Sequence, residues 1–114
     1  MTKKEFEELL DELNIPVSEG APKDEQIDEE VRLNYWEYNW DDNMASGEDY
    51  NTVVTYQVSL IAEKPRHPKL LELREKLHEK GLHPSIQHEH LIEERHIHSF
   101  FSIDLLENIG EENV

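Results

Sequence analysis

Asn51-Thr-Val-Val-Thr-Tyr-Gln-Val-Ser-Leu-Ile-Ala62, continued by Glu63-Lys-Pro-Arg-His-Pro68 and Lys69-Leu-Leu-Glu-Leu-Arg-Glu-Lys-Leu-His-Glu-Lys-Gly81, is the stretch whose reading decides the fold. In its first part the even positions Val54, Tyr56, Val58, Leu60 and Ala62 are apolar, while Thr55, Gln57 and Ser59 lie between them. That period of two predicts a strand over 51–62 with one buried face. Two prolines break the pattern, and Leu70, Leu73 and Leu77, with Leu71 beside them, then recur three and four apart. This spacing predicts an amphipathic helix over 68–80. Pro68 suits the first helical position, whose N–H has no intrahelical partner. Gly81 suits the left-handed stop. Glu72 and Lys76 stand at the spacing of a helix-stabilising ion pair.

Working outward towards the start, residues 2–14 read as a helix. Thr2 and Glu5 have capping-box spacing, and Phe6, Leu9, Leu10 and Leu13 form a clean apolar stripe. Asn14-Ile15-Pro16 ends it, because a residue before proline avoids the helical region. A short edge strand is expected near 15–18. An acidic, Gly- and Pro-containing loop is expected over 19–30. Val31 to Trp40 reads as a strand with apolar residues on both faces, among them Leu33, Tyr35, Trp36, Tyr38 and Trp40. Such a strand is either covered on both sides or covered on one and used for assembly on the other. Asp41 to Tyr50 reads as a polar hairpin loop whose carboxylates lack EF-hand spacing.

Beyond Gly81, two strands are expected near 84–92 and 95–105, turning at Glu93-Glu94. They carry two His-x-His pairs, His88 with His90 and His96 with His98. Imidazole is the commonest zinc ligand, so the four are candidate metal ligands. Register argues against a shared site. Ile86 and Ile92 put the first pair on the apolar face of its strand, whereas Ile97, Phe101, Ile103 and Leu105 put the second pair on the opposite face. Ser99, His98 and Asp104 supply triad residue types without a nucleophile elbow. No Gly-rich phosphate loop exists. No active site and no cofactor are expected. The acidic end, 107–114, is expected to fray.

At 114 residues the chain is expected to be one domain, 1–114. The fold class expected is α+β: a mainly antiparallel sheet of four or five strands with both helices on one face. A formal net charge of −16 disfavours nucleic-acid binding through a basic groove. Without cysteine there is no disulfide, thiolate metal site or thiol nucleophile. No apolar run reaches membrane-spanning length, and the first residues lack a signal-peptide core, so no membrane association is expected.

Several segments together carry a resemblance. They are Ile15-Pro-Val-Ser18, the aromatic strand with Tyr35-Trp-Glu-Tyr38, Tyr56-Gln-Val-Ser-Leu60 leading to a helix, His90-Leu-Ile-Glu-Glu-Arg95, and His98-Ser-Phe-Phe-Ser-Ile103. In this order the chain, over roughly Glu5 to Leu106, resembles the tail terminators, or tail-to-head joining proteins, of long-tailed bacteriophages and prophages. The resemblance implies a non-catalytic virion component made in the bacterial host cytoplasm. It implies a homo-oligomeric ring, typically a hexamer, that stops tail-tube growth and meets both the tail-tube protein and the head connector. DNA would pass through the lumen without specific binding, and acidic walls would keep it from sticking.

Exposure logic adds interface candidates on the second face of 31–40 and in the following loop: Trp36, Tyr38, Trp40, Asp41, Asp42, Met44, Glu48 and Asp49. Two other classes of function remain expectations of the sequence. One is a small acidic regulatory or inhibitory protein that mimics nucleic acid. The other is a histidine-dependent metal protein built on His88, His90, His96 and His98.

Overall fold

The computed structural model describes residues 1–20, 31–43, 51–91 and 96–107. Their elements run α1 (Lys3–Asp11), β1 (Val17–Glu19), β2 (Arg32–Asn43), β3 (Asn51–Ala62), α2 (Pro68–Glu79), β4 (Gln87–Leu91) and β5 (His96–Glu107). The class is α+β, with five strands in the order β1-β2-β3-β5-β4. The sheet is mixed. β1 runs parallel to β2, pairing Val17 with Leu33 and Glu19 with Tyr35, and the other pairs are antiparallel. A three-residue strand carries no sign of its direction in its own pattern. The connection from Glu19 to Arg32 is long enough to bring the chain back for a parallel pair.

β3 occupies its expected span and is the centre of the sheet, hydrogen-bonded to β2 and β5 along its length. Its even residues Val54, Tyr56, Val58, Leu60 and Ala62 are buried. They join Leu33 and Tyr35 of β2, Phe101, Ile103 and Leu105 of β5, and the apolar stripes of both helices in one core. Phe6 of α1 stands edge-on to Tyr35 at 5.6 Å and lies 6.5 Å from Tyr56. This packing sets α1 over β2 and β3. Lys3 ties the same helix to β1 through Glu19 at 3.0 Å.

The helix ends follow local chemistry. The Glu5 N–H donates to Thr2 Oγ1 at 3.2 Å, and Asn14, at φ +56°, turns the chain after α1 in the left-handed region. That helix is therefore shorter than 2–14. In α2, Pro68 takes the first turn, and His67 Nδ1 caps it by accepting from the Lys69 N–H at 3.1 Å. At the other end Gly81 has φ +81°, with Leu82 N–H donating to Leu77 O at 2.9 Å and Gly81 N–H to His78 O at 3.0 Å. That pair of bonds is a Schellman stop. The expected Glu72–Lys76 pair gives way to other partners: Lys76 reaches across to Glu12 of the α1 C-cap at 2.6 Å, and Glu72 lies 3.7 Å from Lys69 one turn back in the same helix.

β2 differs most from expectation. It continues through Asp41 and Asp42 to Asn43, so both acids belong to the strand and not to a loop. Its register against β3 shifts between Glu37 and Asn39. The bulge at Tyr38 exchanges the faces: Leu33 and Tyr35 point to the core before it, while Trp40, opposite Val54, takes that side after it. Apolar residues on both faces of β2 are thus in part the trace of a bulge. β4 begins later than expected, at Gln87. β5 runs on to Glu107, which is buried at its end rather than frayed. Residues 108–114 and the turn at Glu93-Glu94 lie outside the described residues.

Candidate interaction surface

Both helices cover one face of the sheet. Among the described residues, no helix covers the other. That open face is built from the alternate residues of each strand: Trp36 and Asn34 of β2, Gln57, Ser59 and Ile61 of β3, His98 and Phe100 of β5, and Glu89 of β4. Two shallow clefts share Trp36 and His98. One, of about 270 Å³, is lined by Ser18, Arg32, Asn34, Ser59 and Ile61 with them. The other, of about 300 Å³, adds Tyr38, Gln57, Glu89 and Phe100.

His98 sits at the junction of these clefts. Its Nε2 shares a hydrogen bond with Ser59 Oγ, and its Nδ1 lies 3.7 Å from Glu89 Oε2. Its ring lies 5.3 Å from that of Phe100. Carboxylate, imidazole and hydroxyl therefore line up across β4, β5 and β3. Ser59 is buried in mid-strand, with its residue paired to both Asn34 and Phe100, so its neighbouring backbone N–H groups belong to the ladders rather than to an oxyanion hole. The line cross-links three strands.

The other triad residues diverge. Ser99 faces the helices and bonds His88 Nδ1 at 2.7 Å, while Asp104 accepts from Thr55 Oγ1 at 2.6 Å. Asp104 is six residues along β5 from His98, roughly 20 Å at strand spacing.

The histidine pairs are separated by the sheet. His88 and His90 pair with Ser99 and Ile97 and share the helix side. His96 and His98 pair with Leu91 and Glu89 on the open face. Among the described residues, no three His, Asp or Glu side chains converge as metal ligands.

β1 pairs only with residues 33–35 of β2, so the end of β2 beyond Trp36 projects past it. This projecting arm carries two of the most exposed large apolar side chains, Tyr38 at 71% and Trp40 at 58% exposure. Asp41 and Asp42 are exposed beside them, and Asp42 Oδ1 accepts from Thr52 Oγ1 at 2.7 Å. Leu106 of β5, 55% exposed, flanks the same end of the sheet, opposite Val53. Met44, Glu48 and Asp49 lie outside the described residues.

Of the expected interface residues, the structure thus brings Trp36, Tyr38, Trp40, Asp41 and Asp42 onto one strand. Sequence reading missed Ser59, Ile61, Glu89 and Phe100. Phe100 had a usable signal: next to the buried Phe101 in a strand, it must point to the opposite face.

A second surface stands apart. Leu71, Arg74 and His78 follow one flank of α2 at helical spacing. Lys76 and Lys80 line the groove towards α1, so the Leu71 flank is turned away from α1. Leu71 is 48% exposed there. His83 packs against His78 with ring centroids 4.5 Å apart. Desolvation, then Arg74 and His83, push the His78 imidazole below its usual range. Among the described residues, no helix is long and apolar enough to cross a membrane.

Compared with known proteins, the chain matches no family model and no curated protein.

Proposed function

We propose that the chain is a structural subunit that assembles with copies of itself into a ring at the end of a phage tail tube, a tail terminator or head–tail joining protein that works by assembly and not by catalysis. The observation that supports assembly is the projecting arm of β2. Tyr38 holds large apolar area in water beside an open sheet face lined by Trp36 and Phe100, and Trp40, past the bulge, adds exposed area on the other side of the same strand. Contiguous exposed aromatic surface of this kind marks interaction sites. The placement in tails rests on the sequence resemblance.

In this reading the ring is a hexamer, its two rims meet the tail-tube protein and the head connector, and the mature particle is the virion. Acidity has a use there. From Leu33 to Glu63 the chain holds six acids and no Lys, Arg or His. A lumen bordered by such segments repels the DNA that passes through it.

Electron microscopy of the purified chain mixed with tail tubes of a long-tailed phage tests the proposal. Rings on tube ends, with no retention of duplex DNA, are expected. Tubes without caps, together with a protein that stays monomeric and binds a basic partner in a salt-sensitive way, would replace it with the acidic inhibitory protein. The base-free acidic arm favours that reading second.

A further inference from the structure

The sheet ends in two free edges. Among the described residues, no strand pairs with the outer side of β4, and β1 covers β2 only as far as Tyr35. The strand order puts these two segments at opposite edges of one sheet. β4, Gln87-His-Glu-His-Leu91, is exposed along its first four residues and carries no proline or lysine to blunt its edge. The arm of β2 is exposed from Glu37 to Asp42.

Direction follows from the ladders. β2 and β5 run one way, β3 and β4 the other. A second copy in the same orientation that brings its β4 to the β2 arm therefore adds one more antiparallel strand. An arm set against another arm would oppose Glu37, Asp41 and Asp42 to their own kind, since the arm holds no base. The contact that fits is heterologous, β4 of one copy on β2 of the next, and it joins copies head to tail.

The pleat restricts the register to alternate positions. On the helix side β4 carries His88 and His90, and the arm carries Glu37 and, past the bulge, Trp40. Setting His90 against Glu37 puts His88 against Trp40. On the open face the same register puts Leu91 against Trp36 and Gln87 against Asp41, with Glu89 opposite the bulge. It is the first in-phase register that clears residues 33–35, which β1 holds.

The slope of the sheet agrees. The row through Glu89 runs by His98 and Ile61 to Arg32. In the docked register Glu89 of the next copy meets the row of Thr55, six residues along β3 from Ile61. Six residues are about 20 Å along the strands, against about 19 Å across four strands, so the strands slope about 45° to the line of copies, close to the tilt at which sheets close on themselves. The hand agrees too. Leu33 faces the core and its N–H donates to Pro16 O at 2.9 Å, so β1 lies to the right of an upward β2 seen from the helices. Each next copy then sits to the right and higher, the slope that right-twisted strands take in a closed sheet with its helices outside.

We infer that β4 of one copy adds to the free edge of the β2 arm in the next, with His90 facing Glu37 and Leu91 facing Trp36, so that one sheet runs from copy to copy. This rests on the ring reading and names its contact. Main-chain hydrogen bonds hold such an added strand, and the side-chain pairs fix its register.

The chain has no cysteine, so an engineered pair reads the contact directly. Glu37→Cys with His90→Cys in one chain sets thiols on facing positions of successive copies, within disulfide reach for paired strands. Under oxidised glutathione the full-length double variant is expected to link into a ladder beyond dimers, whereas each single variant stops at dimers. Glu37→Cys with Arg74→Cys is expected to give about tenfold less of the longer species, because those thiols are not held together. Amide hydrogen exchange of the unaltered chain is expected to slow about tenfold or more in residues 37–41 and 87–91 between dilute and concentrated solution, and it decides alone where a variant fails to fold.

A parent that associates with neither the ladder nor slowed exchange in these two segments would overturn the contact and leave the ring standing. A parent that associates at no concentration would overturn both.

Discussion

The Tyr56 hydroxyl donates to Glu107 Oε2 at 2.8 Å, joining the middle of β3 to the last residue of β5 inside the core. Both side chains are buried, Tyr56 completely. The bond explains why β5 continues to an acid that reads from sequence as the start of a frayed tail. Tyr56→Phe removes the donor and leaves a buried carboxylate short of a partner. The expected loss is about 1–3 kcal/mol in urea unfolding. A loss near zero would mean that water already serves Glu107.

Alkaline pH tests the same core. Desolvation, and then the hydrogen bond to Glu107, hold the Tyr56 phenol well above its usual range. Burial first, then Glu19, does the same to Tyr35. In the unfolded chain both ionise near pH 10. Above that pH the unfolded state therefore binds fewer protons than the native one, and stability falls as pH rises. Below it, the two tyrosines leave stability flat. Unfolding midpoints between pH 8 and 11.5 are expected to decline only in the upper part, and Tyr35→Phe is expected to flatten the decline.

Phe6 carries the docking of α1. It is fully buried between Tyr35 and Tyr56. Truncation leaves a cavity that the two tyrosines, held by the sheet, cannot close. Phe6→Ala is expected to cost about 3–5 kcal/mol, read as a lower urea midpoint.

Gly81 is required for its backbone and not for space. At φ +81° a Cβ there meets nothing within 4 Å. Gly81→Ala is therefore expected to cost only the left-handed strain, about 1–2 kcal/mol, with the exit from α2 unchanged. A much larger loss in thermal unfolding would mean that the connection to β4 rearranges.

Both tryptophans, Trp36 and Trp40, lie on β2, so intrinsic fluorescence reports on the proposed self-assembly without a label. In the dilute chain Trp40 is 58% exposed, and its emission is expected to be that of a hydrated indole. Assembly should shift it to shorter wavelength with increasing concentration. Trp40→Phe should lose most of that shift, while Trp36→Phe keeps it.

Much of this architecture was legible in the residues. The period of two from Val54 to Ala62, then the three-and-four spacing from Leu70 to Leu77, placed β3 and α2. Pro68 and Gly81 marked the ends of the helix because their backbone chemistry admits few alternatives. The two His-x-His pairs fall on opposite faces, as the neighbouring isoleucines and phenylalanines imply.

What was not legible is where tertiary pairing overrides local preference. Asp41 and Asp42 have poor strand propensity, yet the β3 ladder carries them, with Thr52 bonded to Asp42. The bulge at Tyr38 has no glycine to announce it. Three residues of β1 say nothing of parallel or antiparallel. The Ser59–His98–Glu89 line depends on strand order, which periodicity does not contain.

Native mass spectrometry of the chain over a wide concentration range, with and without zinc, tests self-assembly most directly. A discrete ring-sized species, six copies, growing in with concentration and indifferent to zinc is the predicted result. A monomer at every concentration, or association only when zinc is added, would contradict it.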